Sequence, residues 1–194
     1  MAPRVLMALM TLCLCLFAGV AGLWLAQRGG EEAAAGWEGA TRPPGTVLPD
    51  FALTDQDGER VTAAGLRGTP VVVTFLYSPC EDTCPGQVQS IRGALDDLGR
   101  DVPVIGVSVD PANDTRRRAQ AFLLEQSMSG RMRFLLGDRA ALEPLWEAFG
   151  IAPQRDGREH SAYTVIVDAE GRQRIGFPAS QLTPSRLARD LGRL

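Results

Sequence analysis

Hydrophobic positions follow three rhythms along this chain, and each predicts a different kind of element. The first is continuous: Val5 to Ala26 holds 22 residues without a charge, bounded by Arg4 on one side and by Arg28, Glu31 and Glu32 on the other. That stretch is long enough to cross a bilayer as a helix. The second rhythm is a set of short apolar runs of strand length. Pro70 opens VVVTFLY, which is apolar on both faces as a central buried strand must be, and VPVIGVSVD and MRFLL repeat the pattern.

The third rhythm repeats at three or four. Val88, Ile91, Leu95 and Leu98 predict a helix over residues 87–98, and Ala119, Phe122 and Leu123 predict a second behind Asp114 as its N-cap. Asp138 opens a third that runs through Phe149 and stops at Gly150, and Thr183 with Pro184 starts a terminal one. Phe51-Ala52-Leu53 and Arg60-Val61-Thr62 flank Asp57-Gly58 as a hairpin, and YTVIVD, the turn Ala169-Glu170-Gly171 and QRIGF make a closing hairpin.

Strand and helix therefore alternate, which predicts an α/β fold: a mixed central sheet flanked by helices, with right-handed crossovers and an antiparallel end. Three segments are expected. Residues 1–27 are an N-terminal membrane anchor or signal segment, residues 28–45 a flexible linker rich in Gly, Ala, Glu and Pro, and residues 46–194 one globular domain.

Charge narrows the functional classes. Lys and Arg together number 20 against 23 acidic residues, a net −3 with no basic footprint, so nucleic acid is excluded as a partner. All the cationic side chains are Arg, so no Schiff base or Lys nucleophile is available. The amino terminus and Arg4 favour an N-terminus held in the cytoplasm, which puts everything after Arg28 outside it. Gly19-Val20-Ala21 also offers small residues to a signal peptidase, but the apolar stretch exceeds a signal core of about 7–15 residues, and the anchor is preferred. Cys13 and Cys15 lie inside it as apolar filler, and Leu12 ahead of Cys13 argues against an acylation site.

Two cysteines remain for the exported part, Cys80 and Cys84 in FLYSPCEDTCPG. A domain of this size does not need a staple to fold, so the pair reads as chemical rather than structural. Pro85 fits the first turn of a helix, which places both cysteines at a helix N-terminus, where thiolate is favoured over thiol. Spaced by four around that turn, the sulfurs can face each other and cycle between dithiol and disulfide.

His160 is the chain's one histidine, just ahead of YTVIV. If Tyr163–Val167 runs antiparallel beside the strand from Val71, its entry lies at that strand's exit, where Cys80 follows. Two thiolates and an imidazole then meet at the carboxyl edge of the sheet. Soft thiolates select Cu(I) and imidazole also suits Cu(II), so this set can hold copper in both oxidation states. A structural zinc site wants a fourth protein ligand, and no further Cys or His supplies one.

CEDTCP behind the VVVTFLYS strand, SVDPANDT at Ser108–Thr115 and EHSAYTVIVDAEGR at Glu159–Arg172 together resemble the Sco/SenC family of membrane-tethered copper proteins. The three motifs occur in order across essentially the whole exported domain. The resemblance implies a thioredoxin-like fold, copper bound as Cu(I) and Cu(II) by Cys80, Cys84 and His160, and a Cys80–Cys84 redox disulfide. It implies a metallochaperone rather than an enzyme, tethered by one membrane helix in the bacterial inner membrane with its domain on the periplasmic side. It also implies a partner, subunit II of cytochrome c oxidase, which receives copper or reducing equivalents, and upstream a periplasmic copper donor or thiol reductant. Asp110 matches a family aspartate near the site, where it could orient the imidazole, and as a plain turn residue it would do no such thing. Asp82 is a hard carboxylate that suits Cu(I) poorly and is expected in solvent. Glu81 stands where the family often has Pro.

The rival on the same fold is a thiol–disulfide oxidoreductase. Its CxxC turn is here CxxxC after Ser78-Pro79, and Ser161-Ala162 stand where its Pro would face the sulfurs. A peroxiredoxin would carry Thr or Ser three residues before its reactive cysteine, where Tyr77 precedes Cys80 and Glu81 precedes Cys84.

Overall fold

The computed structural model describes residues 36–154 and 161–194, together with Met7, Met10, Cys13, Leu16, Phe17 and Gly19. It divides into two units, Met1–Trp37 and Glu38–Leu194. In the first, those six residues are helical and Cys13 is exposed. Among the described residues no helix is long and apolar enough to cross a membrane, and most of the predicted span lies outside them.

The second unit carries the alternating order expected, with one addition at the front. Its strands are β1 (Ala40–Thr41), β2 (Ala52–Thr54), β3 (Arg60–Thr62), β4 (Val71–Leu76), β5 (Val104–Ser108), β6 (Arg133–Leu135), β7 (Tyr163–Val167) and β8 (Gln173–Pro178). Its α-helices are α1 (Thr83–Leu98), α2 (Arg116–Glu125), α3 (Arg139–Phe149) and α4 (Pro184–Leu191). Strands β2 and β3 form the predicted hairpin, with Gly58 at φ 85° in its turn, where a side chain would be strained.

The remaining six strands make one mixed sheet in the order β1-β8-β7-β4-β5-β6. Strands β4, β5 and β6 are parallel neighbours, and β7 runs antiparallel to β4 with Thr74 opposite Thr164. Every residue of β4 is buried because helices cover both faces of the sheet. On one face Val71, Val73 and Phe75 join Leu142, Leu145, Trp146 and Phe149 of α3 in the core. On the other, Thr74 of β4 meets Gln87 of α1, and α1 packs along α4.

β1 differs from expectation, since residues 28–45 read as linker. Ala40 and Thr41 pair with Gly176 and Ile175 at the edge of the sheet. Just ahead of them, the carboxylate of Asp190 in α4 accepts the N–H groups of Glu38 and Gly39 at 2.9 and 3.0 Å. Ordered chain therefore begins before Thr46.

Candidate functional site: a two-cysteine turn at the carboxyl edge of the sheet

Strand β4 ends at Leu76, and the chain must turn from the sheet onto the face where α1 lies. It does so through Tyr77-Ser78-Pro79-Cys80, closed by Cys80 N–H donating to Tyr77 O at 3.2 Å. Helix α1 then starts at Thr83, four residues ahead of the 87–98 span predicted from the apolar repeat, with Asp82 at the N-cap position. The Asp82 side chain makes no capping bond and is exposed, as expected of a carboxylate left in solvent. The first-turn N–H groups of α1 therefore take acceptors other than a capping side chain of Asp82. One such acceptor is a sulfur: Cys84 N–H donates to Cys80 Sγ at 3.2 Å.

Both cysteines are in the dithiol form, and both are buried, Cys84 completely and Cys80 to 6 % exposure. Their environments push them apart. The Cys84 thiol donating to Cys80, the Cys84 and Asp82 N–H groups and the Tyr77 hydroxyl hold Cys80 down to about 5, although burial opposes them. The same pairing with Cys80, reinforced by burial, drives Cys84 above the ordinary thiol range. One sulfur is a thiolate near neutral pH and its neighbour keeps a proton, the division of labour between the attacking and the resolving sulfur of a dithiol couple.

Beneath the turn lies a buried polar cluster. Thr74 and Thr164 hydroxyls meet at 3.0 Å, and Gln87 Nε2 reaches each at 3.3 Å. It ties α1, three residues past Cys84, to the two strands that flank the site.

The topological half of the His160 expectation is realised: β7 enters beside the exit of β4, so Ser161 and Ala162 arrive at the cysteine edge. His160 itself lies outside the described residues. Among the described residues no group of three or more His, Cys, Asp or Glu side chains is set to hold a metal ion.

Asp110 closes a turn. Its Oδ2 accepts from Asn113 Nδ2 at 2.9 Å and its carbonyl accepts the N–H groups of Asn113 and Asp114.

Asp114 departs from its predicted role. The cap of α2 is Thr115, whose side chain accepts Arg118 N–H. Asp114 instead turns inward at 9 % exposure: Oδ1 accepts from Ser78 N and Oγ, both at 2.6 Å, and Oδ2 from Ser108 Oγ at 2.5 Å. Burial lifts this carboxyl above its usual range against those three bonds. An adjacent signal existed in the sequence, since Asp114-Thr115 offers two capping residues where a helix uses one. Arg116, Arg117 and Arg118 are exposed at the start of α2.

The SCO1/SenC family model matches residues 39–194. Among solved structures, the chain is 32% identical to Bradyrhizobium japonicum ScoI with copper bound, covering 76% of this chain and 98% of that one at a TM-score of 0.64. It is 26% identical over 132 residues to the mitochondrial SCO1 homolog 1 of Arabidopsis thaliana, spanning 66% of this chain and 39% of that longer protein. It is also 28% identical over 134 residues to the peroxiredoxin Bcp of Escherichia coli, 66% of this chain and 80% of that one. The central sheet with its flanking helices is the thioredoxin-like arrangement shared with the solved Sco structures. With its family model running from β1 to the last residue, the chain belongs to the SCO1/SenC family.

Proposed function

We propose that the protein is a copper chaperone whose cargo is held by Cys80, Cys84 and His160 and passed to the dinuclear copper site of cytochrome c oxidase subunit II. The observation that carries this reading is the buried Cys80–Cys84 pair, with Cys84 N–H on Cys80 Sγ at 3.2 Å and β7 entering alongside. Two soft sulfurs, one already a thiolate, suit Cu(I), and an imidazole arriving from the segment ahead of β7 extends the set to Cu(II). Copper in the B. japonicum relative supports the same cargo. Asp110, whose Oδ2 accepts from Asn113, is the carboxylate assigned to orient the imidazole, since a carboxylate can accept from both partners at once. The apolar stretch from Val5 to Ala26 tethers the domain as a single membrane span on the extracytoplasmic side.

Copper titration of the reduced protein and of His160→Ala tests the assignment. One equivalent of Cu(II) binds to the wild type with a thiolate-to-copper charge-transfer band, and the variant loses that band while retaining Cu(I). Equal Cu(II) binding by both removes His160 from the ligand set.

A second reading has its own observation, the low thiol of Cys80 beside the protonated Cys84. Here Cys80 attacks a disulfide in the copper-accepting partner and releases one of its sulfurs, Cys84 then attacks Cys80 Sγ in the mixed disulfide and releases the other, and the partner leaves as a dithiol while this pair becomes the disulfide. The two partner sulfurs take up two protons as they leave, one from Cys84 and the second from solvent, because Cys80 enters as the thiolate. A deletion strain separates the two: excess copper restores oxidase assembly if metal is supplied, and an added thiol restores it if electrons are.

A further inference from the structure

The turn that carries Cys80 is anchored at its ends by Tyr77, packed against the core, and by the buried Cys80, while its middle faces solvent. Pro79 is exposed, Ser78 is half-buried, and both border an open groove of about 510 Å³ whose far wall is Arg118, Phe122 and Glu125 of α2. Besides the bonds that Cys80 makes with Tyr77 and Cys84, this segment is held through Ser78, whose N–H and hydroxyl both end on Asp114. Asp114 is in turn held by Ser108 at the end of β5, and Ser108 is the register partner of Leu76 at the end of β4. Trp146 of α3 completes the chain by donating Nε1–H to Ser108 O at 2.9 Å. One carboxylate therefore bolts the exits of two adjacent parallel strands to each other, two residues ahead of the first cysteine.

We propose that Asp114 is a positioning residue for the two-cysteine site: by clamping Ser78 it holds Cys80 Sγ at the Cys84 N–H and so favours the dithiol over the disulfide. The proposal rests on the reading of Cys80 and Cys84 as a working redox and metal pair. Three short hydrogen bonds, at 2.5 to 2.6 Å, converge on this one group, so its position fixes both serines at once. Closing the disulfide requires Cys80 Sγ to leave its N–H partner and approach Cys84 Sγ, a movement the clamp resists. Oxidation follows dithiol + GSSG → disulfide + 2 GSH: the two protein sulfurs lose two electrons, and glutathione takes both electrons and both protons.

The test measures that equilibrium in glutathione buffers for the full chain and three variants. Asn at position 114 can offer its carbonyl to Ser78 and its amide N–H to the rotatable Ser108 hydroxyl, which keeps the geometry without the charge. Asp114→Ala should raise the disulfide share about tenfold, equivalent to about 30 mV for a two-electron couple. Asp114→Asn should stay close to wild type, and Ser78→Ala, which removes one of the three bonds, should fall between. A folded Asp114→Ala protein with a wild-type equilibrium overturns the proposal, as does an equal shift in Asp114→Asn, which would make charge rather than position the agent. If Asp114→Ala does not fold, an unshifted Ser78→Ala overturns it instead. A wild type that forms no intramolecular disulfide refutes the parent reading of the pair, a result separable from any effect of Asp114.

Discussion

Iodoacetamide alkylation of the reduced protein as a function of pH reads the thiolate of Cys80 directly. With Cys80 held at about 5, about nine-tenths of it is ionised near pH 6, against about one part in a thousand for a thiol at 9.0. That is a gain of roughly 900-fold in thiolate. A thiolate of lower basicity is a poorer nucleophile, and a Brønsted slope of about 0.4–0.5 over about four pH decades gives back roughly 40- to 100-fold. The net expectation is alkylation about 10- to 20-fold faster near pH 6 than for an ordinary thiol of equal access. Cys80 is only 6 % exposed, which slows the reaction at every pH alike, so the midpoint of the rate profile reports ionisation and not access. The sign follows from the lowered value: reactivity stays on its plateau from neutral pH down and is lost as pH falls through about 5. Mass spectrometry should find the label on Cys80, because Cys84 keeps its proton. Cys84→Ala removes the leading donor to Cys80 and should move the midpoint upward. A wild-type midpoint near 9, or an unmoved one in Cys84→Ala, would refute the account of how the two sulfurs divide the charge.

Three further outcomes follow from hydrogen bonds away from the sulfurs. Asp190→Ala frees Glu38 and Gly39 N–H and should cost roughly 1–3 kcal/mol, read from the urea midpoint, with faster proteolysis ahead of Thr46. Trp146→Phe leaves the buried Ser108 carbonyl without its indole donor and should cost about 1–3 kcal/mol by the same measurement. Burial pushes the Asp168 carboxyl up, but the Arg172 N–H and the Arg172 and Arg174 guanidinium groups more than offset it and hold it below the usual range. Its stabilisation is complete above the unfolded value of about 3.9 and is lost as pH falls through the lower folded one, so Asp168→Asn should show a flatter acid limb in urea midpoint against pH.

Elements whose determinants are local were legible in the sequence. The run VVVTFLY, apolar on both faces, admits only a strand covered from both sides, and β4 is that strand. Asp138 and Gly150 bracket α3 because a cap and a left-handed stop act on their own turn, and Gly150 has φ 70°. The antiparallel seat of β7 followed from closing a hairpin onto the buried strand. What escaped depends on distant partners. Ala40 and Thr41 form a strand only because β8 offers an edge and Asp190, some 150 residues away, fixes the two residues before them. Asp114 and Thr115 are equally good caps by local chemistry, and the choice is made by two serines at the ends of separate strands. Cys80 and Cys84 were visible as a pair at a helix start, but their opposite ionisation depends on the Cys84 thiol, with the Cys84 N–H, donating to Cys80 Sγ.

The direction of β1 carries a mechanical consequence. It is antiparallel to β8, and β8 is antiparallel to β7, which is antiparallel to β4, so the residues preceding Ala40 approach from the edge at which β4 ends. Tension applied through the segment before Glu38 therefore enters the domain on the cysteine edge, three strand spacings or about 14 Å across the sheet from the β4 exit. The carboxylate of Asp190 is the cleat, so force must break its bonds to Glu38 and Gly39 before it can peel β1 from the sheet.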